Sequence, residues 1–130
     1  MTPPQDPAAR PGERLLPAER LRRRADYLRC YRTGRRRHGT LATLHFVPNQ
    51  IGNPRIGLTA SRKVGKAVVR QRLKRRIREI YRRWQDRHSL PPLDLVFHLK
   101  PGAGGAEFDL LRQEVLRLLA GLLPRPGAPS

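Results

Sequence analysis

The sequence predicts an α+β domain, on three observations. Its 130 residues are about the length of one compact domain. Short stretches rich in strand formers alternate with longer ones whose apolar residues recur every three or four positions. Gly and Pro cluster at the junctions, so the elements read in order as helix, strand, strand, helix, strand, helix.

Residues 21–33, LRRRADYLRCYRT, place Tyr27 and Tyr31 four apart on one helical face, and Gly34 stands where that helix would end. Its start has Arg24 where a Ser or Asn cap would be favoured, and Asp26 supplies first-turn negative charge instead. In residues 40–48, TLATLHFVP, the residues Ala42, Leu44 and Phe46 alternate with Thr43 and His45, as in a strand with one face buried. The turn formers PNQIGNP follow, and residues 55–61, RIGLTAS, read as a second strand expected to pair antiparallel with the first. From Gly65 to about Trp84 a helix is expected. Val69, Leu73, Ile77, Ile80 and Trp84 stack there in one core-facing stripe. Residues 93–99, LDLVFHL, form a further strand between PP and PGAGG. A last helix over 106–123 turns Phe108, Leu111, Val115, Leu118 and Leu122 to the core, with Glu107 and Asp109 in its first turn. Residues 1–17, with five prolines, and 124–130 have almost nothing to bury, which makes them expected disordered tails around a domain at 18–123.

Charge sets the functional class. Net charge is +18, from 28 Lys and Arg against 10 Asp and Glu, far beyond what solubility needs. A polyanion is the natural counterweight, and because most of the cations are arginines, whose planar fork matches phosphate oxygens, nucleic acid is favoured over a membrane surface. The single Cys30 excludes an internal disulfide and a thiolate metal cluster. No apolar run approaches the roughly 20 residues that span a bilayer, and the N-terminus has no signal-like apolar stretch. A soluble protein of the reducing cytoplasm is expected.

The charge concentrates in KAVVRQRLKRRIR, residues 66–78, with seven cations in thirteen positions. On a helix Arg70, Lys74 and Arg78 form one ridge and Gln71, Arg75 and Arg82 the next, both pointing away from the apolar stripe. Between Arg62 and Arg83 there are eleven basic residues and one acid, Glu79, so like charges at i and i+4 repel unless something external neutralises them. Phosphates along a nucleic-acid backbone do so while releasing counterions. SRKVGK, residues 61–66, joins strand to helix with a hydroxyl, three cations and Gly65, which lets backbone approach a phosphate closely. It lacks the spacing of a nucleotide-binding P-loop, and a plain tight connection is its other reading. Tyr27 and Tyr31, flanked by Arg29 and Arg32, read equally as core aromatics or as a surface on which unpaired bases stack.

No catalytic residue is expected. His38, His45, His88 and His98 follow no metal-binding pattern, the acids form no cluster suited to two metals, and no Ser, His and Asp set is evident.

RIGLTASRKVGKAVVRQRLKRRIREIYR, residues 55–82, resembles the protein subunit of bacterial ribonuclease P. Arg55, Ile56, Gly57, Leu58, Ser61, Arg62, Lys63, Gly65, Ala67, Val68, Arg70, Lys74, Arg75, Arg78 and Glu79 fit that family's pattern. RLRRRADYLRCYRTGRR is similar to its first helix, so the resemblance covers roughly residues 18–123. It departs at Gln71, where the family's Arg-Asn-Arg signature has asparagine; the longer amide keeps donor and acceptor but reaches farther.

The resemblance implies a ribonucleoprotein that removes the 5′ leader from precursor transfer RNA. Hydrolysis belongs to its RNA subunit with bound Mg²⁺, and no cofactor or metal is expected on the protein itself. It implies a two-layer α/β sandwich with a small central sheet and a left-handed βαβ crossover, similar to a domain of a ribosomal protein. By position, Arg70, Gln71, Arg72, Lys74, Arg75 and Arg78 would face the catalytic RNA. Tyr27 and Tyr31 would meet the single-stranded leader, with Ser61, Arg62, Lys63 and Lys66 near the same boundary. A structural ribosomal RNA binder shares the charge, whereas a protein-only nuclease would need a carboxylate or histidine metal site that the sequence does not show.

Overall fold

The computed structural model describes residues 15–124; residues 1–14 and 125–130, which hold most of the two expected tails, lie outside the described residues. Three helices, α1 (Arg24–Thr33), α2 (Ala67–Arg83) and α3 (Phe108–Ala120), pack on one sheet of strands β1 (Arg35–His38), β2 (Ala42–Pro48), β3 (Arg55–Ala60) and β4 (Leu93–Leu99). All six expected elements are present. β1 was not anticipated, because four consecutive polar residues, RRRH, carry no apolar alternation to mark a strand.

The sheet order is β1-β2-β4-β3, which corrects the expected pairing of β2 with β3. β4 lies between them, antiparallel to β2 and parallel to β3, so β3, α2 and β4 make the βαβ crossover. The physical reason is burial. Leu95, Val96 and Phe97, consecutive in β4, are fully enclosed, as is Leu99, so apolar side chains are buried on both faces, which a central strand covered on both sides satisfies.

Strand alternation divides the core in two. Leu44, Ile56, Leu58, Leu95, Phe97 and Leu99 face α2 and α3 in the main cluster, with Leu73, Ile77, Ile80, Tyr81, Leu111, Val115, Leu118 and Leu119 from the helices. On the opposite face Val47 and Val96 pack with Leu21 and Cys30 in a smaller cluster under α1. The stripe of α2 is as expected at Leu73, Ile77 and Ile80, with Tyr81 added; Val69 and Trp84 are only partly buried at its ends. Phe108 departs from expectation: at the first turn of α3 it overhangs the core, exposed, with the Arg76 guanidinium 5.5 Å from its ring centre.

The helix expected from residue 21 begins at Arg24, and its first-turn Asp26 meets Arg55 at 3.5 Å. Leu21 lies outside the helix because it is used elsewhere. Its N–H donates to the Ile56 carbonyl at 2.9 Å, laying residues 20–21 along the β3 edge. Glu19 on the same segment pairs with the buried Arg87 at 2.9 Å. Gly34 ends α1 in extended backbone, and the need for glycine is steric: a Cβ would stand 2.4 Å from the Cys30 carbonyl oxygen.

Candidate RNA interface

α2 is two-sided, as its spacing predicts. With one flank committed to the core, Gln71, Arg72 and Arg75 are exposed, and Arg70, Lys74 and Arg78 are half-buried along the border of the buried stripe. Glu79 is engaged by Arg82 at 3.2 Å and Arg83 at 3.0 Å, so it neutralises the C-terminal turn of the helix and not the cations before it. Among the described residues none of Arg70, Arg72, Lys74, Arg75 and Arg78 forms an ion pair, and the Arg70 Nε is buried without a hydrogen-bond partner. Burial lowers the pKa of Arg78 from its ordinary value, and the positive charge of Arg20 adds to the effect.

The connection before α2 is built rather than loose. Arg62–Val64 form a single 3₁₀ turn with Val64 buried, while Ser61, Arg62, Lys63 and Lys66 stay exposed. Gly65 has φ +151°, a conformation that favours glycine. The PGAGG segment, expected as a plain boundary, is a second 3₁₀ turn that buttresses this connection. A Cβ on Gly104 would stand 2.2 Å from the Val64 carbonyl oxygen.

α1 packs over β2 and β4, with Tyr27 and Tyr31 reaching to β3. Tyr27 packs against Gly57, where an added Cβ would sit 2.6 Å from the tyrosine oxygen, and its hydroxyl donates to the Leu21 carbonyl at 3.3 Å. The Tyr31 hydroxyl shares a 2.5 Å hydrogen bond with Thr59 Oγ1, which in turn lies 2.8 Å from His98 Nδ1. The Tyr31 ring meets His45 edge-on, with centroids 4.6 Å apart. Burial pushes the Tyr31 hydroxyl above its ordinary pKa although the Thr59 bond pulls the other way. Both tyrosines are half-buried, pinned by their hydroxyls with part of each ring still accessible.

His45, Gly57, Thr59 and His98 were not singled out as cleft residues from the sequence, where the histidines look unrelated. They share one face because β2, β4 and β3 alternate in register, with Thr59 opposite His98 and His98 opposite Thr43. The signal was present in the period of two, but only the strand order makes it readable.

Beneath α1 Asp94 is fully buried. It accepts from Arg55 Nε and Nη2, both at 2.8 Å, from Arg29 at 3.2 Å and from Asn49 at 2.9 Å. Burial pushes its pKa upward, but hydrogen bonds from Arg55 and Asn49 and the Arg55 charge overcome that and hold it below the ordinary value. This cluster ties α1, β3 and β4 together.

No helix among the described residues is long and apolar enough to cross a membrane. The family model for ribonuclease P matches residues 15–122. The ribonuclease P protein component of Desulfovibrio desulfuricans is 43% identical over 123 residues, covering 88% of this chain and 93% of its own. That of Xanthomonas campestris pv. campestris is 38% identical over 129 residues, covering 95% and 83%. Among solved structures, the RNase P protein from Thermotoga maritima is 31% identical with a TM-score of 0.71, covering 82% of this chain and 99% of its own. The Staphylococcus aureus protein, 23% identical, shares the fold with a TM-score of 0.74, covering 82% and 98%. A match along nearly all the described residues, joined to a basic helix on the same scaffold, places this chain in the ribonuclease P protein family, the protein components of a tRNA-processing ribonucleoprotein nuclease.

Proposed function

We propose that this chain binds the catalytic RNA of ribonuclease P through α2 and the single-stranded 5′ leader of precursor transfer RNA through the cleft between α1 and β3. The observation that carries the reading is the unneutralised flank of α2. Arg70, Arg72, Lys74, Arg75 and Arg78 lack carboxylate partners among the described residues, while the other flank is locked into the core. Folded RNA presents phosphates at a density that satisfies such a row, and counterion release supplies the driving force. Gln71, exposed among these cations, adds an amide that can donate to phosphate or accept from a ribose hydroxyl.

Tyr27 and Tyr31 offer ring surface to unpaired bases, each stack contributing roughly 1 to 3 kcal/mol. Ser61, Arg62, Lys63 and Lys66 flank the entry to α2 and are exposed to receive the adjoining phosphates. Leader removal is assigned to the RNA subunit with its Mg²⁺. The buried Asp94 carboxylate does not fit a metal ligand, since Arg55, Arg29 and Asn49 already occupy it. In this reading the protein positions the substrate and supplies no reacting group.

The test is reconstitution with an in vitro transcribed ribonuclease P RNA and a precursor transfer RNA at low Mg²⁺. Leader removal is expected only when both subunits are present. Cleavage by the protein without RNA, or no gain on adding the protein, would reject the proposal.

A further inference from the structure

Trp84 and Phe108 are expected in the core and are not enclosed by it. Trp84 ends α2, its N–H donating to the Ile80 and Tyr81 carbonyls at 3.2 and 3.1 Å, and its side chain is only partly buried. Phe108 begins α3 and is exposed. Both rings open into one groove of about 400 Å³ between the two helices, with Ile80 and Leu116 beneath them and Arg83 and Arg112 at its sides. That volume lies in the range of pockets that hold small organic ligands. Large apolar side chains left uncovered in a groove with a polar rim mark a binding surface.

Charge selects the occupant. Among the described residues Glu79 is the one acid that lines the groove, and Arg82 and Arg83 already engage it at 3.2 and 3.0 Å. The Arg76 guanidinium lies 5.5 Å from the Phe108 ring centre. Arg112, exposed on α3, forms no ion pair among the described residues. Arg72, Arg76 and Arg83, spaced i, i+4 and i+11, follow one edge of α2, so the groove opens beside the cationic flank of that helix. Aromatic rings bounded by cations suit a nucleotide, whose base stacks while its phosphate meets the charge. An apolar peptide would instead desolvate the arginines without pairing them.

Position selects its source. α2 and α3 cover one face of the sheet and α1 the other, so a leader lying on Tyr27 and Tyr31 is on the wrong side of the molecule to reach this groove. An RNA subunit docked on α2 lies beside it.

We propose that the groove between α2 and α3 takes an unpaired base of the RNA subunit, stacked against Trp84 and Phe108, with Arg112 on its phosphate. This rests on the assignment of α2 to the RNA subunit above. It adds to the row of phosphate contacts an anchor that salt does not screen.

Trp84 is the only tryptophan in the chain, so its emission reports on this groove alone. The experiment titrates the full chain with an in vitro transcribed ribonuclease P RNA, follows Trp84 fluorescence, and measures affinity by filter binding across a range of salt. Binding should quench Trp84. Phe108→Ala should lose on the order of tenfold in affinity with its salt slope unchanged, since a stack releases no counterions. Phe108→Leu, which keeps apolar cover over the core, should lose as much, whereas Phe108→Tyr should bind as wild type does. Arg112→Gln should lower the slope by about 1. Phe108→Ala at wild-type affinity, while Arg75→Ala still weakens binding, overturns the inference and spares α2 as the RNA-binding helix. No loss from either variant overturns both. Wild-type affinity in Phe108→Leu would reduce the contact to an apolar one and overturn the stack. Quenching by precursor transfer RNA and not by the RNA subunit would assign the groove to substrate, and self-association abolished by Phe108→Ala would assign it to a second copy of the chain; each overturns the inference.

Discussion

The Arg55 guanidinium grips both carboxylate oxygens of the fully buried Asp94, through Nε and Nη2 at 2.8 Å each. The fork holds adjacent parallel strands together, and Arg29 adds α1 to the same carboxylate. Removing one partner of such a pair leaves a buried charge uncompensated, so Asp94→Asn should cost about 3 to 5 kcal/mol. Because the folded-state pKa of Asp94 lies below its unfolded value, its contribution is fully present above the ordinary carboxylate range and is lost as pH falls through the folded pKa. Urea unfolding of wild type and variant at a series of pH values should show the gap closing in acid. A gap independent of pH would contradict this account.

Cys30 is fully enclosed beneath α1, its thiol donating to the Asp94 carbonyl at 3.3 Å. Burial pushes its pKa up to about 12, with the Asp94 charge adding to the effect. Since the thiolate is the reactive form, a thiol reagent at neutral pH should label the native protein hardly at all and the urea-unfolded protein promptly. Fast native labelling, followed by absorbance, would show that α1 opens.

Gly57 gives Tyr27 its seat. In Gly57→Ala the methyl would occupy the space of the tyrosine ring, so Tyr27 must swing away while every cation stays in place. Affinity for leader-bearing substrate should fall to a similar extent as in Tyr27→Ala, on the order of tenfold, with mature transfer RNA unaffected. Equal losses for precursor and mature substrates would reject the placement of the leader on this ring.

Arg70→Ala and Arg75→Ala should each weaken binding to the RNA subunit and lower the salt slope by about 1. Wild-type affinity should itself fall something like a thousandfold between 50 and 200 mM salt if six or more phosphates are contacted. Filter binding across that range decides it, and a flat salt response would remove α2 from the interface.

Glu114 closes the β1–β2 turn from α3. Its carboxylate accepts from the N–H groups of Thr40, Leu41 and Ala42 at 2.6, 2.8 and 2.9 Å. Glu114→Ala strands these donors and should cost about 2 to 4 kcal/mol, read as a lower Tm, while Glu114→Gln should lose less because its amide oxygen still accepts. Identical Tm values for both variants would show the turn held by other means.

What the sequence determined by itself is whatever local periodicity encodes. The stripe at Leu73, Ile77 and Ile80 sets which flank of α2 is dry, and therefore that its arginines stay at or near the surface. The motif from Arg55 to Arg82 was equally legible, because spacing along one element does not depend on what lies beside it. Tertiary structure decided the rest. β4 between β2 and β3, β1 at the edge, Leu21 against Ile56, and His45 and His98 beside Tyr31 all join residues far apart in the chain. Strand order follows from which apolar faces must be covered at once, a condition on the whole core, and a period of two says which residues share a face without saying which strands are neighbours. The surroundings of Tyr31 are made of those neighbours, so the spacing of the two tyrosines along α1 was readable and what lies beneath them was not.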